Sequence, residues 1–189
     1  MAEINKTVLR FFTLTDYEEE ENWLREMARQ GWKLHHMTIP VFYHFQAAEP
    51  EDVVYKLDFR QLRGEDEGAF LQMYRDYGWE YVQTVNDYCY FRKSAEEASD
   101  GDLEIFTEPA DKLDMLKRIL LAKYLPFLAI FLLIVIPNFF RSLSAVGVGG
   151  AGETVLLLVW AILLALYVFI CTRVALGFLR LKKKYRGED

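Results

Sequence analysis

The sequence predicts an α+β head built from a duplicated, ferredoxin-like β-α-β-β unit, followed by a two-helix transmembrane hairpin. Three observations carry this reading. Two apolar runs, Ile119–Phe140 and Thr154–Leu179, fill the last third of the chain. An internal repeat with a shift of 47 positions fills the first half. Charge changes sign between these parts: Met1–Arg118 holds 14 Lys+Arg against 25 Asp+Glu, and Ile119–Asp189 holds 8 against 3. The boundaries read as a head at 1–93, an acidic linker and connector helix at 94–118, the hairpin at 119–179 and a basic tail at 180–189.

Each apolar run can cross a hydrocarbon core, which takes about 20 residues. The spans fall near 119–140 and 154–176. Lys117, Arg118 and Lys123 flank the first, while Arg180, Lys182, Lys183, Lys184 and Arg186 follow the second. The connecting loop Arg141–Glu153 holds a single Arg. Positive charge at both outer ends places both termini on the cytoplasmic side of a cell membrane. Pro126 and Pro137 lie near the two ends of the first span, where a kink is tolerated. Arg173 is close enough to the surface to snorkel. Gly147, Gly149, Gly150 and Gly152 read as a flexible turn. Met1–Leu14 lacks the long apolar core of a secretory signal. Cys89 and Cys171 form no disulfide framework, and free thiols suit a reducing cytoplasm.

The repeat defines the head. Helices are expected over Glu18–Gln30 and Asp66–Tyr77, ending at Gly31-Trp32 and Gly78-Trp79. With the shift of 47, Leu24 falls on Leu71, Trp23 on Phe70, Met27 on Tyr74, Phe12 on Phe59 and Tyr43 on Tyr90. Each glycine can take the left-handed cap conformation. Trp32 and Trp79 then pack back on the last turn as structural clamps. Thr15 and Glu18 have capping-box spacing. Strands are expected over Thr7–Leu14, Lys33–Ile39, Val41–Phe45, Val53–Arg60, Glu80–Val85 and Tyr88–Arg92. Val53, Tyr55, Leu57 and Phe59 alternate with Lys56, Asp58 and Arg60, so they take opposite faces. Pro40 and Asn86-Asp87 mark the hairpin turns. The two halves are expected to join into one antiparallel sheet with both helices on the same face.

Chemistry is sparse. There is no glycine-rich phosphate loop, no Cys-x-x-Cys and no metalloprotease or serine-hydrolase motif. His35 and His36 are adjacent on a strand and point to opposite faces, so at most one can join His44. That is a poor metal set. The Glu18–Glu21 run suits the positive end of a helix dipole. An acidic head is repelled by phosphate backbones, so nucleic acid is not an expected partner. No catalytic, metal-binding or cofactor-binding residue is expected. If helices cover only one sheet face, the other needs a cover, which a small apolar ligand, a second copy of the head or the segment Leu103–Phe106 could supply; the expectation is an interface with a protein partner or a second copy. Its candidate anchors are the strand aromatics Tyr43, Tyr55 and Tyr90. In the linker, Leu103–Phe106 is a short apolar insert that could dock on the head, and Pro109 opens a connector helix.

The strand Lys6–Leu14, the helix Glu21–Gln30 with Trp23-Leu24, the Gly31-Trp32 cap, the aromatic hairpin strand Val41–Phe45 and the strand Val54–Phe59 resemble the bacterial domain of unknown function 2812. The likeness covers roughly Lys6–Arg118. It implies a Gram-positive membrane protein, often encoded beside a PadR-type regulator, and it brings no catalytic residues. The expectation is a non-enzymatic, membrane-anchored sensing or adaptor protein whose cytoplasmic head binds a partner or ligand, in an envelope-response pathway linked to that regulator, with the lipid bilayer and a protein partner or a second copy as its partners. The alternatives are a small transporter or membrane-complex subunit, whose polar candidates would be Asn138 and Arg173, and a membrane-tethered enzyme.

Overall fold

The computed structural model describes residues 5–39, 41–61, 65–96, 105, 109–146 and 150–187. The chain divides into two compact units, 1–115 and 116–189. The first unit contains β1 (Asn5–Leu9), α1 (Tyr17–Arg29), β2 (Trp32–Thr38), β3 (Phe42–Ala47), β4 (Val53–Phe59), α2 (Glu65–Asp76), β5 (Glu80–Val85) and β6 (Tyr88–Ser94). β1 is shorter than expected and stops at Leu9.

The duplication is present: the strand orders are β1-β3-β2 and β4-β6-β5, antiparallel throughout. Each middle strand pairs with a neighbour carrying an irregularity at the equivalent place, Leu34/His36 and Tyr81/Gln83. The single joined sheet is not formed. Two three-stranded sheets are present instead, because side chains close the edges that strand pairing would have used. Leu34 of β2 turns both backbone groups away from β3. Its N–H donates to the Tyr55 hydroxyl at 3.2 Å, and its carbonyl accepts from the Arg92 guanidinium at 2.9 Å. On β4, the Leu57 N–H donates to Glu21 Oε1 at 2.9 Å.

The helices also do not share a face. α2 packs with Phe70, Tyr74 and the following Trp79 on Val54, Cys89 and Phe91. The connector docks here through Ile105, whereas Leu103, Glu104 and Phe106 lie outside the described residues. α1 meets the opposite face of the second sheet, where Glu20 accepts from Tyr90. β4 is therefore covered on both faces, and even Asp58 is only 2% exposed, bonded by the Tyr74 hydroxyl at 3.1 Å. Alternation along β4 separates two buried environments rather than core from solvent.

Gly31 and Gly78 have φ of +84° and +78°. Both sit at helix ends, with the Trp79 N–H donating to the Tyr74 carbonyl at 2.9 Å. Trp79 is buried and Trp32 half-buried. The helix starts one residue later than the expected capping box would place it. Asp16 is the N-cap of α1, and its carboxylate accepts instead from the Thr13 N–H at 2.9 Å. Arg25 and Arg29 of α1 both grip the Asp52 carboxylate, which ties the helix to the start of β4.

Two helical runs of 36 residues each, Ala110–Ala145 and Ala151–Arg186, are long and apolar enough to cross a membrane. Only 11% and 6% of their most apolar stretches are buried, unlike the core helix of a soluble protein. Both exceed the expected spans, and Gly152 belongs to the second helix rather than to a flexible turn. The first run comprises α3 (Pro109–Ile119), a π-helical segment Leu120–Tyr124, α4 (Leu125–Ile130), a second π-helical segment Phe131–Val135 and α5 (Ile136–Ala145). Each π segment directly precedes a proline-bearing turn, Pro126 in α4 and Pro137 in α5. Proline lacks the N–H and crowds the carbonyl four residues back, and a π turn absorbs that defect. The second run is α6 (Ala151–Arg186). It holds the first through Phe127 stacked on Tyr167 at 4.5 Å and the Tyr124 hydroxyl on the Cys171 carbonyl at 3.2 Å.

The two cap glycines are expected to respond unequally to alanine. A Cβ on Gly31 meets the Ala48 backbone oxygen at 3.0 Å, while one on Gly78 meets only the flexible end of Lys93 at 3.4 Å. Left-handed backbone costs an L-residue about 1–2 kcal/mol, so Gly78→Ala is expected to destabilise by about that and Gly31→Ala by more. Thermal unfolding of both variants measures the difference; equal losses would contradict the contact with Ala48.

Candidate interaction face

The three strand tyrosines lie inside the head. Tyr43, Tyr55 and Tyr90 are 3%, 1% and 3% exposed. They are therefore not on an uncovered face: β4 and β6 are covered on both faces, which buries Tyr55 and Tyr90, and for Tyr43 the reason is register. The strands β3 and β6 follow turns of different length. Thr38 pairs with Phe42 across three residues, but Val85 pairs with Tyr88 across two. The shorter turn is Asn86-Asp87, with φ of +52° and +68°, the geometry of a tight hairpin. The shift of 47 thus becomes 46 in the last strand. Tyr43 corresponds to Cys89, and His44 corresponds to Tyr90. A one-residue slip exchanges the faces of a strand.

Tyr43 and Tyr90 nonetheless meet. Each donates its hydroxyl to the same Glu20 oxygen at 2.7 Å, one from each sheet. Trp23 stacks edge-on to Tyr43 at 4.9 Å. Tyr88 donates to the Leu14 carbonyl at 2.7 Å beside them. Burial raises the Glu20 pKa, an effect larger than the opposing hydrogen bonds from the two tyrosines, and nearby Asp16 raises it further. The tyrosines are held neutral for the same reason: burial and the Glu20 charge raise both. This cluster joins the two halves.

The solvent-facing surface is the outer face of the first sheet, one register step from Tyr43. Pairing sets it out as three rows: Asn5, Gln46 and Lys33; Thr7, His44 and His36; Leu9, Phe42 and Thr38. Leu9 is 65% exposed and Phe42 is 37%. Ile39 and Phe11, at the same end, are also exposed. His44 is held at both ring nitrogens, by Thr7 Oγ1 at 3.0 Å and Thr38 Oγ1 at 2.9 Å. His36 stacks on His44 at 4.3 Å between ring centroids. The strand irregularity after Leu34 brings His35 within 5.0 Å of His36, so the simple alternation expected for adjacent residues does not apply. The His36 pKa is lowered, first by loss of hydration and then by the neighbouring His44 and His35.

Other chemistry does not converge here. Among the described residues no group of three or more His, Cys, Asp or Glu is placed to hold a metal ion. Cys89 is buried under α2, and burial pushes its thiol up to about 11. It is thus in the second sheet's core, away from the face that carries His36 and His44. Asn138 donates to the Ile134 carbonyl of its own helix at 2.7 Å. The residues missed by sequence reasoning are Leu9, Phe42 and the outward role of His44. The unequal turn lengths were the signal that could have found them.

The profile of DUF2812, a protein family of unknown function, matches residues 16–130. The chain belongs to that family. No curated protein and no solved structure matches it.

Glu20 gives a test of the junction. Its raised pKa means that the folded state keeps a proton which the unfolded chain has lost. Its contribution to stability therefore falls as pH rises from the ordinary 4.5 through the higher folded value. Glu20→Gln keeps an acceptor for both tyrosines and removes the charge. It is expected to raise the melting temperature at neutral pH and flatten its pH dependence across that window. A lower melting temperature at neutral pH would show that the buried charge is a net stabiliser.

Proposed function

We propose that this protein is a non-enzymatic, membrane-anchored sensing or adaptor module whose head binds a protein partner on the outer face of the first sheet. The observation that carries this reading is the inequality of the sheet faces. Strands β4 and β6 of the second sheet are covered on both faces and the inner face of the first sheet is buried, whereas the outer face of the first presents Leu9 and Phe42 to solvent. Exposed apolar residues grouped beside polar ones are a common form of interaction surface. The duplication adds support. His44 stands where Tyr90 stands in the second sheet, and Tyr90 makes the contact with α1. The corresponding face is thus already a binding face within the fold.

The two apolar helices serve as the anchor in this reading. Basic residues outside both spans support a cytoplasmic head, N-terminus and C-terminus in this reading. The family resemblance suggests an envelope response linked to a PadR-type regulator as the pathway.

Two measurements test the proposal. Interface aromatics typically cost about 2 kcal/mol or more when removed, roughly 30-fold in affinity. Phe42→Asp is expected to reduce partner capture from native membranes by that order while leaving circular dichroism unchanged. Unchanged capture would sink the proposed surface. A cysteine placed at Ser144 should be labelled by an impermeant reagent only from outside the cell. Labelling only from the cytoplasmic side would reverse the topology.

A further inference from the structure

Along α6 runs an open groove of about 770 Å³, within the 300–1,000 Å³ typical of ligand sites. Ala161, Ala165 and Thr172 line it from one stripe of the helix. Phe139 of α5 also lines it. From Ala161 to Arg173 the helix rises about 18 Å, enough to span the hydrocarbon of one leaflet, about 15 Å. The lining is apolar except at one end, where Thr172 and Arg173 enter it. Arg180 and Lys184 follow at seven and eleven residues, on the same helical face as Arg173. A cationic stripe therefore leads from the groove to the basic tail.

This pattern selects the occupant. An occupant that is apolar over most of its length and anionic at the end next to Arg173 is complementary to it. A helix from a second copy meets the first condition and fails the second. Between Ile119 and Arg186 the only carboxylate is Glu153, near the far end of α6. A parallel copy would set Arg173 against Arg173. We propose that the groove binds an anionic phospholipid, with an acyl chain along Ala161–Thr172 and the phosphate at Arg173, supported by Arg180. Arginine suits this role because its planar fork can hold two phosphate oxygens. Such a site would tie the hairpin to anionic membrane, beyond the general attraction of a basic tail. The inference rests on the membrane placement proposed above.

The test uses the full chain. Fractionation first checks placement: recovery in the soluble fraction would overturn the membrane reading itself. With the purified protein, native mass spectrometry and thermal unfolding compare phosphatidylglycerol with phosphatidylcholine of the same acyl chains, and with inorganic phosphate alone. One retained phosphatidylglycerol and a higher melting temperature are expected, with phosphatidylcholine weaker and phosphate without effect. Arg173→Gln should lower the preference for phosphatidylglycerol roughly fivefold, the factor for one cation at an anionic surface. Arg173→Lys should retain most of it. Ala165→Phe should fill the groove and abolish retention of both lipids. Circular dichroism confirms that each variant is folded, and Arg180→Gln provides a second, smaller loss should Arg173→Gln fail that check. Equal affinity for the two lipids, or an unchanged preference in Arg173→Gln, overturns the headgroup assignment. The same shift with phosphate alone makes this a simple anion site. Lipid retention unchanged in Ala165→Phe, with an altered oligomeric state, makes the groove a helix–helix interface.

Discussion

The closure of open strand edges is the constraint on which the head depends. A three-stranded sheet has two edges, and each exposes backbone donors and acceptors that must be satisfied. Along β2 and β4 the two halves satisfy some of them for one another. Tyr55 and Arg92 of the second half take both backbone groups of Leu34 in the first. Glu21 of the first half takes the Leu57 N–H of the second. Met37 donates to Gln83 at 3.0 Å in the same manner. These bonds use side chains across the junction, so the sheets meet without merging. Once that is so, α1 is drawn against the second sheet and one face of the first sheet is left without a cover.

Glu20 adds a cost to this arrangement and a means of offsetting it. A buried carboxylate is expensive. Two tyrosine hydroxyls, one from each sheet, converge on one of its oxygens. Removal of either half would leave the charge with fewer partners, so the halves depend on each other. Arg25 and Arg29 on Asp52 make a more exposed tie between α1 and β4. Its contribution is modest, of the order of 1 kcal/mol for such partly exposed pairs. It acts when Asp52 is ionised, and the two guanidinium groups hold that carboxyl well below the usual range. Its stabilisation is therefore present above the ordinary carboxylate pKa and lost in strong acid.

Local signals were legible in the sequence and long-range ones were not. Gly31 and Gly78 could be read as helix ends because a left-handed cap is a local requirement, and both have positive φ. Pro109 as a helix start is equally local, and α3 begins there. The β-α-β-β order could be read from periodicity. The face of Tyr43 could not, because it depended on a difference of one residue between two turns. The separation of the sheets could not, because it depends on Tyr55, Arg92 and Glu21 reaching backbone groups distant in sequence. Pro126 and Pro137 could be read as helix defects, but their accommodation by π turns spread over five residues each is a property of the packed backbone. For the contact face, the fold class was legible and the residues were not. Phe42 and His44 have the composition of ordinary strand residues, and only the pairing of β3 turns them outward.

Site-specific photocrosslinking in native membranes compares the uncovered sheet face with the outer side of α2 most directly. A photoreactive residue at Phe42, on the uncovered sheet face, is compared with one at Met73, which is 44% exposed on α2. A discrete crosslinked protein adduct at Phe42, absent at Met73, is the expected result. Adducts at Met73 with none at Phe42 would place the contact surface on the helical side of the head and contradict the assignment of the first sheet.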